Sequence, residues 1–290
     1  MSEMGWTTLV DVPTLAAGLD NPRLRLLDAR AVLTDPAAGA AAFAAAHLPR
    51  ARHADLDRDL SDHGVEGEGR HPLPAAADFA RRVGEWGIAP EHQVVVYDAG
   101  DGSMAAARAW WLLRMLGHTR VAVLDGGLAA WRAAGLPESS DDAGAPAPLP
   151  PYPSPGYDPQ RIATAADVLQ RLDEPTGWLF DARGAERFRG EVEPIDPVAG
   201  HVPGAVNRPF TMNLRDGRFR PADELRAELE PLLHGRAPGD AVLMCGSGVT
   251  ACHLLLAMEH AGLPGAKVFA GSWSGWIADP ARPVAQGAQA

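Results

Sequence analysis

Ala241-Val242-Leu243-Met244-Cys245-Gly246-Ser247-Gly248-Val249-Thr250-Ala251 is the stretch whose reading decides the fold. Four apolar residues run into a glycine-bearing turn, and from Ala251 to His260 apolar residues return at helical spacing. A buried strand, a tight turn and a helix in that order form the repeating step of an α/β parallel sheet. A cysteine in such a turn meets inward-pointing amides and the positive end of a helix dipole. That setting favours the thiolate, which is the nucleophilic form. Gly246 and Gly248 remove the Cβ atoms that would obstruct so tight a curl. Cys245 therefore reads as a reactive nucleophile in an anion-binding cradle, lined by the backbone of Gly246, Gly248, Val249 and Thr250. Free cysteines are ordinarily small buried hydrophobes, and Cys252, amid leucines on the helix, reads that way. Two helical turns would hold the two cysteines about 10 Å apart along the axis, too far for a disulfide.

Outward from this stretch the chain repeats itself. Leu27-Asp28-Ala29-Arg30 recurs as Phe180-Asp181-Ala182-Arg183, and His47-Leu48-Pro49 as His201-Val202-Pro203. Val94-Val95-Val96-Tyr97 recurs as Ala241-Val242-Leu243-Met244. Leu124-Asp125-Gly126-Gly127, closing at Trp131, recurs as Phe269-Ala270-Gly271-Ser272, closing at Trp276. Matches kept in one order mark a duplicated domain. Short apolar runs alternate with helical stretches such as 75–86, 104–116 and 222–233, so each copy reads as a parallel sheet flanked by helices. Between the copies, residues 137–159 are rich in Pro, Ala, Gly and Ser without periodicity, as a semi-rigid linker would be. Where the second copy has Cys245 the first has Asp98, so one active site is expected, at or near the junction of the copies.

Composition narrows the function. Of 290 residues, 46% are hydrophobic and 22% charged, enough for two ordinary cores. Two cysteines suit a reducing compartment. The start of the chain has neither the basic region nor the apolar core of a signal peptide, and no apolar run is long enough to span a bilayer, so a cytoplasmic location is expected. A net charge of −11 argues against nucleic-acid binding, and an anionic substrate would need a local positive cluster. Arg183 to Gly190, just after the second copy's first strand, offers one. It would share a rim with the Cys245 loop. The same run reads equally well as a solvated loop with Arg183 or Arg189 paired to Glu186 or Glu191. His47, His201, His253 and Cys252 match no zinc spacing, so no metal is assigned.

Together these residues resemble the two-domain rhodanese family. The resemblance rests on Asp-Ala-Arg and His-x-Pro in both halves, Gly-Gly-x-x-x-Trp in the first, and Cys-Gly-Ser-Gly-Val-Thr-Ala in the second. It implies tandem rhodanese-like α/β domains: residues 1–136 without a catalytic cysteine, a linker over 137–159, and a catalytic domain over 160–290. It also implies a sulfurtransferase that needs no cofactor. Cys245 would take the sulfane sulfur of a small anionic donor as a persulfide, then yield it to a thiol, thioredoxin-like or of low molecular weight, or to cyanide. The loop is similar to that of the mercaptopyruvate-using branch, whereas the thiosulfate-preferring branch carries a lysine where Ser247 stands. In the family the arginine of the Arg-Phe-x-Gly run binds the donor's anionic end, which here is Arg187. The mercaptopyruvate branch adds a Ser–His–Asp relay, matched by Ser247, His71 and Asp57. Its second arginine falls on Asp196, which leaves Arg189 as the substitute along the sequence.

Two other readings compete. A Cys-x5-Arg phosphatase also places its loop between strand and helix, but the sixth residue after Cys245 is Ala251 rather than arginine. A noncatalytic persulfide carrier would keep the same loop and differ only in failing to turn over.

Overall fold

The computed structural model describes residues 4–103, 105–141 and 144–288. Expectations that fall on residues 1–3, 104, 142–143 or 289–290 lie outside the described residues. The chain forms two compact units. The first takes the chain up to Asp62 and then Leu73–Asp158; the second takes His63–Pro72 and the chain from Pro159 onward. Residues 63–72 thus come from the first half of the sequence and fold with the second.

In the first unit, β1 (Leu9–Val10), β2 (Leu24–Asp28), β3 (Arg52–His53), β4 (Gln93–Tyr97) and β5 (Val121–Leu124) form a sheet of order β1-β5-β4-β2-β3, parallel throughout. Its helices are α1 (Val12–Gly18), α2 (Pro36–Ala45), α3 (Ala76–Glu85), α4 (Ala105–Met115) and α5 (Gly127–Ala133). Every residue of β4 is buried, which suits the valine-rich central strand of a sheet covered on both faces.

The second unit repeats the plan. Strands β6 (Ile162–Ala163), β7 (Leu179–Asp181) and β8 (Val206–Asn207) join β11 (Val242–Met244) and β12 (Lys267–Phe269) in the order β6-β12-β11-β7-β8, again all parallel. A small antiparallel hairpin, β9 (Leu214–Arg215) with β10 (Arg218–Phe219), is added. The helices are α6 (Ala165–Gln170), α7 (Ala185–Arg189), α8 (Ala222–Leu232), α9 (Thr250–His260) and α10 (Ser272–Trp276). Strand for strand the two orders superpose, so the repeat seen in sequence is a repeat of topology. Each unit is a parallel sheet flanked by helices, as the α/β reading expects.

The repeated motifs have one physical explanation. Arg183 lies almost buried and grips Asp181 through Nε (3.1 and 3.0 Å) and Nη2 (2.7 Å), while Nη2 also donates to the Gly200 carbonyl at 2.8 Å. Arg30 does the same to Asp28 and to the carbonyl of Ala46. Each ion pair therefore ties the carboxyl end of a strand to the residue before the His-x-Pro. The histidines in turn stack on a phenylalanine of the preceding helix, His47 on Phe43 at 4.0 Å and His201 on Phe188 at 3.8 Å. The Nδ1 of each lies 2.8 Å from that phenylalanine's carbonyl. The motif is structural. The proline-rich stretch after α5 also has a definite place: Leu149 donates to the carbonyl of Gly84 and Tyr152 to that of Ala80, both on α3.

Candidate active site

All five strands of the second sheet run the same way, so β7, β11 and β12 deliver Asp181, Met244 and Phe269 to one rim. Cys245 leaves β11 at that rim. Its loop is sewn to the turn after β12: the amide of Trp273 donates to the Cys245 carbonyl and that of Ser274 to the Gly246 carbonyl, each at 2.9 Å. The Cys245 amide donates to Ser272 Oγ at 3.0 Å, and Ser272 Oγ donates to the Phe269 carbonyl at 2.9 Å.

The cysteine sulfur accepts the amide N–H of Gly248 at 3.1 Å. Among the described residues the amides of Ser247, Val249 and Thr250 have no protein acceptor, and α9 begins without a side-chain cap. These donors at an open helix start are free for an anion. Cys245 itself is recessed, 2% exposed. Cys252 is fully buried, its thiol donating to the Gly248 carbonyl at 3.2 Å, and neither cysteine is in a disulfide.

The two loop glycines serve different ends, which corrects the reading that both permit the curl. Gly248 sits at φ +78, and a Cβ there would lie 2.3 Å from the Ala270 carbonyl oxygen. Gly246 has no such backbone demand. A Cβ on it would instead lie 3.1 Å from Arg70 Nη2 and 3.5 Å from Arg187 Nη1. Its missing side chain leaves room for two guanidiniums.

The residues singled out in sequence fall into distinct places. Ser247 and His71, both buried, meet with Oγ and Nδ1 2.8 Å apart. Asp57 lies half-buried in the first unit, in the loop after β3, its amide donating to Asp55 Oδ1 at 3.0 Å. Arg187 lies against the loop, held by Glu193 at 2.7 Å and Asp196 at 3.0 Å. Arg189, expected to supply a second positive charge, instead pairs with Glu191 at 2.7 Å in a largely exposed bridge, and the guanidinium that stands against Gly246 beside Arg187 is that of Arg70. Two further residues stand at the loop, Arg70 and Ser272. Arg70 immediately precedes His71, and Ser272 occupies the repeat position of Gly127, where the first copy has no side chain at all.

Asp196 links the arginines. Its Oδ1 accepts from Arg70 Nη1 and its Oδ2 from Arg187 Nη2. Burial pushes its carboxyl above the usual carboxylate range, against the pull of both arginines. Burial acts the same way on Glu193, but hydrogen bonds from Arg187 and from the amides of Asp196 and Ile195 outweigh it and leave that carboxyl below its ordinary value.

A cysteine-bearing loop at the rim of one of two duplicated parallel sheets defines the class. Residues 11–134 and 164–279 each match the rhodanese-like domain, and the chain belongs to that family. A Pseudomonas aeruginosa relative named "Probable 3-mercaptopyruvate sulfurtransferase" is 49% identical over 288 residues, spanning 98% of this chain and all of its own. A Mycobacterium tuberculosis relative, provisionally named a thiosulfate sulfurtransferase, is 42% identical over 268 residues and 90% of each chain. Among solved structures, the 3-mercaptopyruvate sulfurtransferase from Leishmania major superposes with a TM-score of 0.80 at 32% identity, over 92% of this chain and 73% of that one.

Proposed function

We propose that the chain is a sulfurtransferase that moves a sulfane sulfur from a small anionic donor, 3-mercaptopyruvate in preference, through a persulfide on Cys245. The acceptor is a thiol, thioredoxin-like or of low molecular weight, or cyanide. The observation that carries this reading is a cysteine sulfur held by the Gly248 amide at an uncapped helix start, in the same loop as a serine bonded to histidine. The cysteines' lack of a disulfide suits a reducing compartment such as the cytoplasm. Among the described residues no helix is long and apolar enough to cross a membrane.

In the first half-reaction the Cys245 thiolate attacks the donor sulfur. The new S–S bond takes the thiolate's electron pair, the donor's C–S bond breaks, and its pair leaves on carbon as the enolate of pyruvate. That enolate requires a proton. Ser247 Oγ–H is the donor in reach of the loop, and His71 Nδ1 at 2.8 Å exchanges protons with it. In the second half-reaction a thiolate or cyanide attacks the outer sulfur, and the S–S pair returns to Cys245. The fixed amides serve both the thiolate and the persulfide, so no reorganisation separates the halves. Arg187 would hold the donor's anionic head by charge-assisted hydrogen bonds.

Thiosulfate is retained as a second donor because guanidiniums hold a sulfur oxyanion as readily as a carboxylate. Its leaving group, sulfite, needs no proton from Ser247. The test is mass spectrometry of the protein after donor alone. One sulfur should appear on the peptide bearing Cys245 and none on Cys245→Ser; pyruvate release without that adduct would reject the persulfide. Sustained turnover with cyanide or a dithiol separates an enzyme from a carrier, which would stop after one transfer.

A further inference from the structure

We propose that the first unit carries a binding site of its own, a cavity for the carboxylate of a small monoanion, between the loop after β3 and the start of α3.

In parallel sheets, ligands settle beyond the carboxyl ends of the strands. In the first unit the loop after β4 is filled by Asp98, which accepts the amides of Gly100 and Gly102. Beyond the edge strand β3 the situation differs. A cavity of about 220 Å³ opens there, and Arg58, Ser61, Pro74, Ala75, Phe79 and Arg82 are among the residues that line it.

Its donors are uncommitted. Ser61 is 5% exposed, and among the described residues its hydroxyl has no hydrogen-bond partner. A buried hydroxyl left unpaired costs stability, so it calls for a partner brought from outside. Helix α3 starts without a side-chain cap, and the amides of Ala76, Ala77 and Asp78 have no acceptor among the described residues. The buried carboxylate of Asp59 holds Nε and Nη2 of Arg58 and Nε of Arg82, each at 3.0 Å. Glu85 takes Nη1 of Arg82 at 2.6 Å. Arg58 Nη1 and Arg82 Nη2 are left without a partner among the described residues. A hydroxyl, an open helix start and two guanidinium nitrogens are the donor set of an oxyanion site.

Charge decides which oxyanion. Asp59, Asp62 and Asp78 line the cavity together with Arg58, Arg81 and Arg82, so its wall is neutral in sum. Each negative charge on a ligand is then repelled by carboxylates close by. A monoanion satisfies the donors with less repulsion than a dianion such as sulfate would meet. Pro74, Ala75 and Phe79 offer apolar surface to a short carbon chain behind the carboxylate, and the volume keeps that chain short.

The test is titration of the full chain with sodium propionate, followed through the amide resonances of Ala76, Ala77 and Asp78 by heteronuclear NMR. All three should move and saturate together. Ser61→Ala should weaken that binding about threefold to tenfold, the worth of one hydrogen bond. Its unfolding temperature should stay level or rise, because an unpaired buried hydroxyl is removed; a merely structural hydroxyl would lower it. Arg58→Met should weaken binding at least about threefold, and Arg58→Lys by less. Asp59 keeps Arg82 as a partner in both variants. Amide shifts that stay flat or fail to saturate overturn the inference. So does unchanged propionate affinity in both Ser61→Ala and Arg58→Met. Sodium sulfate should bind more weakly than propionate, and equal or tighter binding overturns the assignment to a monoanion.

Discussion

Replacing either loop glycine by alanine adds one methyl group, yet the two changes should act through different properties. At Gly248 the backbone is left-handed at φ +78, and the new Cβ would meet the Ala270 carbonyl oxygen at 2.3 Å. The conformation costs an L-residue about 1–2 kcal/mol. Forcing a methyl group against backbone that cannot swing away adds about 1–3 kcal/mol. Gly248→Ala should therefore destabilise by about 2–5 kcal/mol, a large share of the roughly 5–15 kcal/mol typical of a domain. It should also shift the amide that donates to Cys245 Sγ. At Gly246 the nearest atom is Arg70 Nη2 at 3.1 Å, the far end of a flexible side chain, and no positive φ is required. Gly246→Ala should destabilise clearly less than Gly248→Ala, because only the flexible end of a side chain has to give way, while raising KM for the donor. Urea unfolding followed by tryptophan fluorescence gives the stabilities, and steady-state kinetics with 3-mercaptopyruvate gives KM and kcat. Equal destabilisation by the two changes, or an unaltered KM in Gly246→Ala, would refute this division of labour.

Ser247→Ala should reduce turnover with 3-mercaptopyruvate by about 10²–10⁴-fold, the usual worth of general acid catalysis, with far less effect on thiosulfate; equal losses in a parallel donor assay would exclude the Ser247–His71 proton path. Ser272 sits at φ +50, so Ser272→Gly removes backbone strain but deletes the hydroxyl that joins the Cys245 amide to the Phe269 carbonyl. Strain relief and the lost bonds are each about 1 kcal/mol, so unfolding should show little net change while kcat falls. Buried His118 lies between the Tyr152 hydroxyl at Nδ1 and the Arg120 carbonyl at Nε2, and desolvation lowers its pKa from 6.5 to about 4. Its neutral form is favoured by folding, so its contribution is complete above pH 6.5 and is lost as pH falls toward 4, by up to about 3 kcal/mol. Urea titrations across that window should show the loss, and His118→Gln should flatten it.

Sequence periodicity made most of the fold legible because the same solution was built twice. The Asp-Ala-Arg pairs recur since each closes a strand with a bidentate ion pair, a geometry that lysine in place of arginine would not reproduce. The Cys245 loop was legible because strand, turn glycine and helix are all local. Arg70 was not. It lies 126 residues from Asp196, in a polar stretch whose charges resemble ordinary surface, and only folding joins them. One signal pointed there: Arg70 is the chain neighbour of His71. Gly246 was misread for a related reason. Sequence reveals that a side chain is missing, but not whether backbone or a distant guanidinium requires its absence.

The divergence of the two copies follows from what fills their loops. In the first unit the Asp98 carboxylate accepts the amides of Gly100 at 3.1 Å and Gly102 at 3.0 Å. Leu128 and Ala129 sew that loop to the turn after β5 through the carbonyls of Asp98 and Ala99, as Trp273 and Ser274 do for Cys245 and Gly246. The scaffolds are alike. In the first, the loop's own carboxylate accepts two of its amides, and the position has no sulfur to offer. In the second, the side chain is a sulfur that engages the Gly248 amide and leaves the neighbouring amides of Ser247, Val249 and Thr250 open. A loop whose own carboxylate accepts its amides has fewer donors left for an arriving anion. Aspartate in the first copy and cysteine in the second thus engage different amides on like scaffolds.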